Sequence, residues 1–304
     1  MAVAEVAEVA DASEVAVARP SRSGWAMARR RLVRNRAGMA GLIVLVFIGL
    51  MAVFADVIAI EPVNTFDIPA AGIPPFTEGH LLGTDDIGRD VFSRIVRGSR
   101  ISLTIGFSAV TISMVIGSLL GLVAGYFGRW PDMVISRILD VMLAFPGLLL
   151  ALTVVASLGP GLRNAMIALG VAGVPFYARV VRGTTLAARD QVYVRAARAI
   201  GMSDRRIMLR HILPNVVSPI LIMATMGLGG AILASAGLSF LGLGAEAPSP
   251  EWGLELAKSK HLLRSYWWIS TFNGVAIAIT VLSINLFGDG LREALDPQAS
   301  AWAE

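Results

Sequence analysis

Six stretches of this chain carry no charged side chain, and their lengths leave few architectures open: Ala37 to Ala55, Ile101 to Gly128, Val141 to Leu162, Asn164 to Ala178, Ile212 to Ala245 and Ser265 to Gly288. Roughly 20 predominantly apolar residues cross the hydrocarbon core of a bilayer as a helix, so most of the six are long enough to cross once. Backbone groups in hydrocarbon have no water to bond, which leaves helices or closed barrels, and these runs lack the polar alternation of barrel strands. The sequence therefore reads as all-α, a polytopic membrane protein with six transmembrane helices. Hydrophobic residues form 55% of the 304 and mean hydropathy is +0.69, more apolar surface than a soluble domain could cover.

The isoelectric point near 9.9 would point to nucleic acid in a soluble protein, but here the placement of charge matters more than its sum, and no nucleic-acid partner is implied. If the runs alternate from an inner N-terminus, one side receives the seven arginines from Arg19 to Arg36, then Arg129 and Arg137, eight from Arg179 to Arg210, and Arg292. The other side receives only Arg89, Arg94, Arg97, Arg100, Arg163, Lys258, Lys260 and Arg264. The excess of basic residues marks the cytoplasmic side, so both termini are expected there, in a multi-pass protein of the inner membrane. The absence of cysteine excludes disulfides and thiolate metal sites.

Arg29, Arg30 and Arg31 precede the first run, which exceeds the roughly 7 to 15 residues of a signal-peptide core; the run reads as an uncleaved first span. Trp25, Ala28 and Leu32 fit one face of a short helix on the membrane surface with arginines toward lipid headgroups, or the cluster serves topology alone. In the second run Ala109, Ser113, Gly117, Gly121 and Gly125 recur every four residues and line one helix face, letting another backbone approach. That neighbour is either another helix of this chain, another subunit or the edge of a pathway. Pro146-Gly147 and Pro175 interrupt the third and fourth runs, and Gly227, Gly229 and Gly230 soften the fifth. The fifth run is too long for one straight span, and its end is expected to fold back as a short re-entrant or surface piece.

Between the first two runs, Ile87, Val91 and Ile95 fall at helical spacing, so an amphipathic surface helix capped by Thr84 or Asp85 is expected. Asp85, Asp86 and Asp90 fit no calcium loop and read as caps and ion-pair partners. The chemistry that is missing narrows the function. The only lysines, Lys258 and Lys260, stand in no P-loop, the runs hold no ionisable group of the kind ion coupling uses, and His80, His211 and His261 fall in separate loops. No catalytic residue, cofactor or metal site follows, and energy for any transport must come from outside the chain.

A receiver for that energy lies between the fourth and fifth runs. Tyr193, Ala196, Ala197 and Ile200 share one helical face, Gly201 permits a turn, and Ser203 can cap a second short helix that ends before Pro214. The stretch Tyr193-Val-Arg-Ala-Ala-Arg-Ala-Ile-Gly201, followed by His211-Ile-Leu213-Pro214-Asn215, resembles the EAA loop of ABC transporter permeases, the segment that docks into an ATPase subunit. Arg195 stands where that loop usually carries glutamate. The likeness widens with Leu82-Gly-Thr-Asp-Asp86 and Gly88-Arg-Asp90, Gly237-Leu-Ser-Phe-Leu-Gly-Leu-Gly244 with Pro250-Glu-Trp-Gly253, and Gly288-Asp-Gly-Leu-Arg-Glu-Ala-Leu-Asp-Pro297, which resemble signatures of the C-type permease of dipeptide, oligopeptide and nickel importers.

The resemblance implies a type I ABC importer permease fold, a homologous second permease forming a heterodimer, two ABC ATPase subunits, an extracytoplasmic solute-binding protein, and peptide as cargo. Nickel is the other cargo of the class; an ion-coupled secondary transporter or channel and a membrane-embedded enzyme are the readings outside it. In those terms residues 1–23 are a disordered cytoplasmic tail, 24–36 a basic membrane-surface segment, 37–60 the first transmembrane helix and 61–100 an extracytoplasmic loop. Residues 101–293 are the core permease domain, with the coupling loop at 187–215 (Tyr193, Ala196, Ala197, Gly201, Ser203, Leu213 and Pro214), and 294–304 a cytoplasmic tail.

Overall fold

The computed structural model describes residues 24–77 and 79–295, with side chains described from residue 29 onward. The expected tails, residues 1–23 and 296–304, lie outside the described residues, and so do the side chains of Trp25 and Ala28. Among the described residues there is no strand, only the isolated bridges Thr77 to His80 and Thr84 to Asp90. Five helices are long and apolar enough to cross a membrane, and a bent pair supplies a sixth crossing if counted as one span.

Helix α1 (Gly24–Arg34) stops at Asn35, whose side chain accepts a 2.7 Å bond from the Gly38 amide and so starts α2 (Arg36–Val53). The Asn35 amide also donates to Glu293 at 2.6 Å, fastening this junction to the chain's last helix. A Cβ at Gly41 would meet the backbone of that helix at Ser283 and Phe287, 2.6 and 2.9 Å away, so the missing side chain sets how closely the two cross. After the one-turn α3 (Ala55–Ile58) comes an irregular stretch and then α4 (Val91–Phe127), 37 residues long.

The separate surface helix expected from Ile87, Val91 and Ile95 does not exist. Asp90, not Thr84 or Asp85, is the cap, accepting from the Ser93 amide at 2.7 Å, and the helix runs unbroken into the span. Gly88 explains the later start. Its φ is +82° and a Cβ there would overlap the Asp67 carbonyl, so the chain cannot be helical before Val91. Asp85 meanwhile closes its own turn onto the amides of Ile87 and Arg89 and pairs with the Arg89 side chain, as capping and pairing of these acids require.

The third crossing is α5 (Arg129–Leu143) and α6 (Gly147–Leu158), bent by 93°. The break falls where proline bars a continued helix, at Pro146. Pro175, by contrast, sits buried within an uninterrupted α7 (Leu162–Arg189). Helices α8 (Val192–Ala199) and α9 (Asp204–Ile207) follow, and a π-helical turn over Met208–Ile212 leads into α10 (Leu213–Phe240), forming one 37-residue helical span from Asp204. The π turn lies where Pro214 offers no amide to the carbonyl four residues back, a place where helices widen. The run outlasts α10 by Leu241 to Ala245, and this end folds back on the helix as expected: Gly242, with φ +78°, turns the chain, the Leu243 amide bonds the Leu238 carbonyl at 3.0 Å, and the Ala245 amide bonds the Ser239 hydroxyl at 3.2 Å. Helix α11 (Trp252–Ser259) and the last span α12 (Trp267–Leu295) complete the fold.

The small-residue stripe of α4 meets α7. A Cβ on Gly117 would lie 2.7 Å from that of Tyr177, one on Gly125 would lie 2.7 Å from that of Thr185, and Gly121 faces the Ala178 carbonyl. Ser113 Oγ crosses the same seam to donate to the Gly170 carbonyl at 2.7 Å. One backbone thus lies against another along four turns, the packing that holds helices where lipid supplies no hydrophobic drive. The neighbour of Gly117, Gly121 and Gly125 is a helix of this chain.

Candidate functional site

At one end of the bundle, α8 and α9 form an elbow. Helix α8 ends with the Met202 amide bonding the Ala197 carbonyl (3.1 Å) and the Gly201 amide bonding the Arg198 carbonyl (3.0 Å), the pair of bonds that closes a helix through a left-handed residue. Gly201 is that residue, at φ +78°, and a Cβ there would touch nothing within 4 Å. Glycine is needed at this point for its backbone, and the space in front of it is open. Ser203 holds the cap position of α9, but its side chain makes no capping bond.

The elbow's faces differ from the simplest reading of their period. Val194 and Ala197 turn inward, onto a cluster with Ile207, Ile212, Val216, Leu122 and Val181. Of the expected face only Ala197 is buried; Tyr193, Ala196 and Ile200 face outward, with Ile200 77% and neighbouring Val192 72% exposed. The motif's second half comes back to its first: Asn215 donates to the Tyr193 hydroxyl at 3.1 Å and to the His211 carbonyl at 2.7 Å, and the Tyr193 and His211 rings lie 6.4 Å apart. Leu213 and Pro214 open α10 directly beneath. Around this apolar patch Arg195, Arg198, Arg205, Arg206 and Arg210 are all exposed.

Two contacts that the sequence reading missed join the elbow to the spans. Tyr126, buried at the end of α4, donates its hydroxyl to Asp204, and its ring lies 5.7 Å beneath the Arg198 guanidinium. That contact raises Arg198 above its ordinary pKa, with the hydrogen bond to Tyr126 the largest cause, and keeps its charge fixed over the ring. Arg189 reaches from the end of α7 to the carbonyls of Gly125 and Tyr126, both at 3.3 Å. Beside them Arg182 pairs with Asp132 and Arg179 with Asp140 (2.8 Å), fastening α5 along α7.

The far end of the bundle is closed by buried charge. Arg94, 1% exposed, grips Glu255 with two bonds of 3.1 and 2.7 Å and donates to the Val63 carbonyl at 2.8 Å. Trp252 donates to the Ile95 carbonyl at 3.0 Å and Trp268 to that of Thr84 at 2.9 Å. Glu251 caps α11 through the Leu254 amide, and burial pushes its carboxyl above the usual glutamate value. No group of three or more metal-ligating side chains occurs among the described residues. Geometrically, then, one end is fastened by a buried ion pair and the other is an outward-facing apolar patch tied to two spans.

Comparison with known proteins places this arrangement. Residues 117–301 match the family described as binding-protein-dependent transport system inner membrane component, and residues 23–75 match the N-terminal TM domain of oligopeptide transport permease C. The dipeptide transport system permease protein DppC of Alkalihalophilus pseudofirmus is 47% identical, with 91% of this chain and 90% of that one covered. The glutathione transport system permease protein GsiD of Pectobacterium atrosepticum is 43% identical, over 91% of this chain and 92% of the relative. Among solved structures, the inward-facing MetNI methionine ABC transporter shares the fold at a TM-score of 0.54 and 23% identity, covering 67% of this chain and 96% of that chain.

Proposed function

Because the chain belongs to the family of binding-protein-dependent transport system inner membrane components, we propose that it is the permease subunit of an ATP-driven importer carrying dipeptides or oligopeptides into the cytoplasm. The peptide assignment follows the names of the relatives, one a dipeptide and one a glutathione permease. In this reading a homologous permease completes a heterodimer in the bilayer. One of two ATPase subunits docks on this chain's cytoplasmic elbow and the other on the homologous permease, and a solute-binding protein delivers cargo at the far end. Both termini lie in the cytoplasm, and ATP hydrolysis belongs to the partners, so this chain performs no covalent chemistry.

The carrying observation is the apolar patch of Val192, Tyr193, Ala196 and Ile200, left exposed on an element whose other face is anchored in the bundle. An ATPase pair that closes on binding ATP pushes this patch as one piece. The helical span from Asp204 to Phe240 is about 55 Å long at 1.5 Å per residue, enough to carry the push across the membrane. Tyr126 hands the same displacement to α4.

Gly201→Asp tests the reading. It strains the turn and projects a charged side chain into the open space where the partner would sit. In the reconstituted transporter we expect peptide uptake and peptide-stimulated ATP hydrolysis to fall at least roughly tenfold, as loss of an interface contact of about 1.4 kcal/mol or more implies. Full uptake and stimulation in assembled complexes would exclude the elbow as the coupling element.

A further inference from the structure

At the far end, a cleft of about 390 Å³ opens among the turn before α4, the loop before α11, and α11 itself. Its charged and titratable lining is Asp85, Asp86, Arg89, Glu255, Lys258 and His261. Arg89 is taken up by Asp85. Glu255, however, serves two cations: Arg94 holds both its oxygens, and the Lys258 ammonium lies 3.6 Å from Oε1. Arg94 is fixed and sealed, whereas the Lys258 side chain is 32% exposed and opens onto the cleft. Asp86 and His261 are exposed, and neither forms an ion pair with Lys258 in the structure.

Lys258 thus stands half-buried with a share of one carboxylate as its counter-charge. Burial holds its pKa below the ordinary lysine value; the nearby positive charges of Arg94 and Arg89 lower it further, and Glu255 alone opposes them. An anion entering the cleft would relieve that deficit, and a carboxylate meeting a partly desolvated ammonium forms one of the stronger hydrogen bonds. The remaining walls, including Phe66, Pro248 and Leu262, are apolar enough for a side chain beside that carboxylate. The volume lies near the lower end of the roughly 300–1,000 Å³ of small-ligand pockets, and concavity of this scale suits a ligand rather than a broad protein face.

We propose that this cleft is a subsite for the terminal carboxylate of a peptide in transit, with Lys258 as its ligand. The proposal rests on the peptide-import reading and names the chemical group of the cargo that the permease itself recognises. The test uses the complete reconstituted transporter with its binding protein. Uptake of the dipeptide Ala-Phe is compared with that of its C-terminal amide, in wild type, Lys258→Met and Lys258→Arg.

Selection by the binding protein is common to all three and cancels when their acid-to-amide uptake ratios are compared. That ratio is expected to fall about tenfold in Lys258→Met, the size of one charge-assisted bond, and to recover in Lys258→Arg. A ratio unchanged in Lys258→Met overturns the subsite. So does an equal loss for both peptides accompanied by weaker attachment of the binding protein, which would make Lys258 a protein-docking contact. If the wild-type complex moved neither peptide, the import reading would fail instead, so the two failures are separable.

Discussion

At the far end of the bundle Arg94 and Glu255 meet with 1% and 3% of their surfaces exposed, while at the elbow Ile200 and Val192 stand 77% and 72% exposed. The core of the far end closes strong polar groups on partners within the chain: carboxylate on guanidinium, indole on carbonyl, cap on amide. The elbow ties one face down and leaves the other without a partner. On the proposed reading the elbow receives a moving neighbour, and such a surface has to remain unfinished in the isolated subunit, whereas an end that holds crossings in register does not. The contrast predicts where mutations cost stability and where they cost transport.

Arg94→Ala should have the largest effect. Removing Arg94 strips the buried Glu255 of two hydrogen bonds and leaves it only the Lys258 ammonium, 3.6 Å from Oε1, at a cost of about 3 kcal/mol. We expect a sharply lower melting temperature in detergent and poor recovery of monodisperse protein. Arg195→Ala, on the exposed side of the elbow, should change stability by less than about 0.5 kcal/mol. Equal melting of the two variants would erase the distinction between the ends.

Tyr126→Phe sharpens the contrast from the other side. The ring stays in place beneath Arg198, and the hydroxyl is lost with its hydrogen bonds to Asp204 and Arg198, worth about 1 kcal/mol each. Assembly with the ATPases should survive, while the ATP consumed per peptide imported rises, because α4 no longer follows the elbow. Asp204→Asn keeps an oxygen that can accept from the hydroxyl and should retain most of the coupling. A Phe variant with an unchanged ATP-to-peptide ratio would reduce Tyr126 to a packing residue.

How far these features could be read from sequence depended on whether the partners of a charge were near in the chain. Counting uncharged residues located α2, α12 and the membrane portion of α4, but it gave the fourth run only Asn164 to Ala178, whereas α7 continues to Arg189. The continuation is possible because Arg179 and Arg182 are neutralised by Asp140 and Asp132 of α5. The same acids left most of α5 outside the third run, which began only at Val141. The pattern of Gly117, Gly121 and Gly125 announced a close approach, yet not to what, since Tyr177, Ala178 and Thr185 are separated from it by the whole of α5 and α6. Likewise the motif spacing marked the elbow, but periodicity cannot tell an inward face from an outward one. Val194 was decided by Ile207 and Ile212, and Tyr126 by an aspartate 78 residues away.

The smallest expected effect lies at a strap between these extremes. Arg100 donates to the carbonyls of Ala52 and Val53, both at 2.8 Å, closing the C-terminal end of α2, and also pairs with Asp56 at 3.0 Å; Arg97 reaches the same carboxylate at 2.9 Å. The hydrogen bond from Arg100 holds the Asp56 carboxyl below its ordinary value of 3.8. A group whose pKa is depressed on folding stabilises the fold above its unfolded value, and that contribution is lost as pH falls through the folded one. The strap is therefore complete at neutral pH and weakens only below 3.8. Because Asp56 is exposed to solvent and screening, Asp56→Asn should lower the melting temperature at pH 7 only slightly, and less in high salt. The gap from wild type should close in strong acid. Arg100→Leu should cost more, since it also frees the two carbonyls of α2. An Asp56 effect as large as that of Arg100, or one that persisted in high salt, would mean that the strap works through its carboxylate rather than through the helix end it covers.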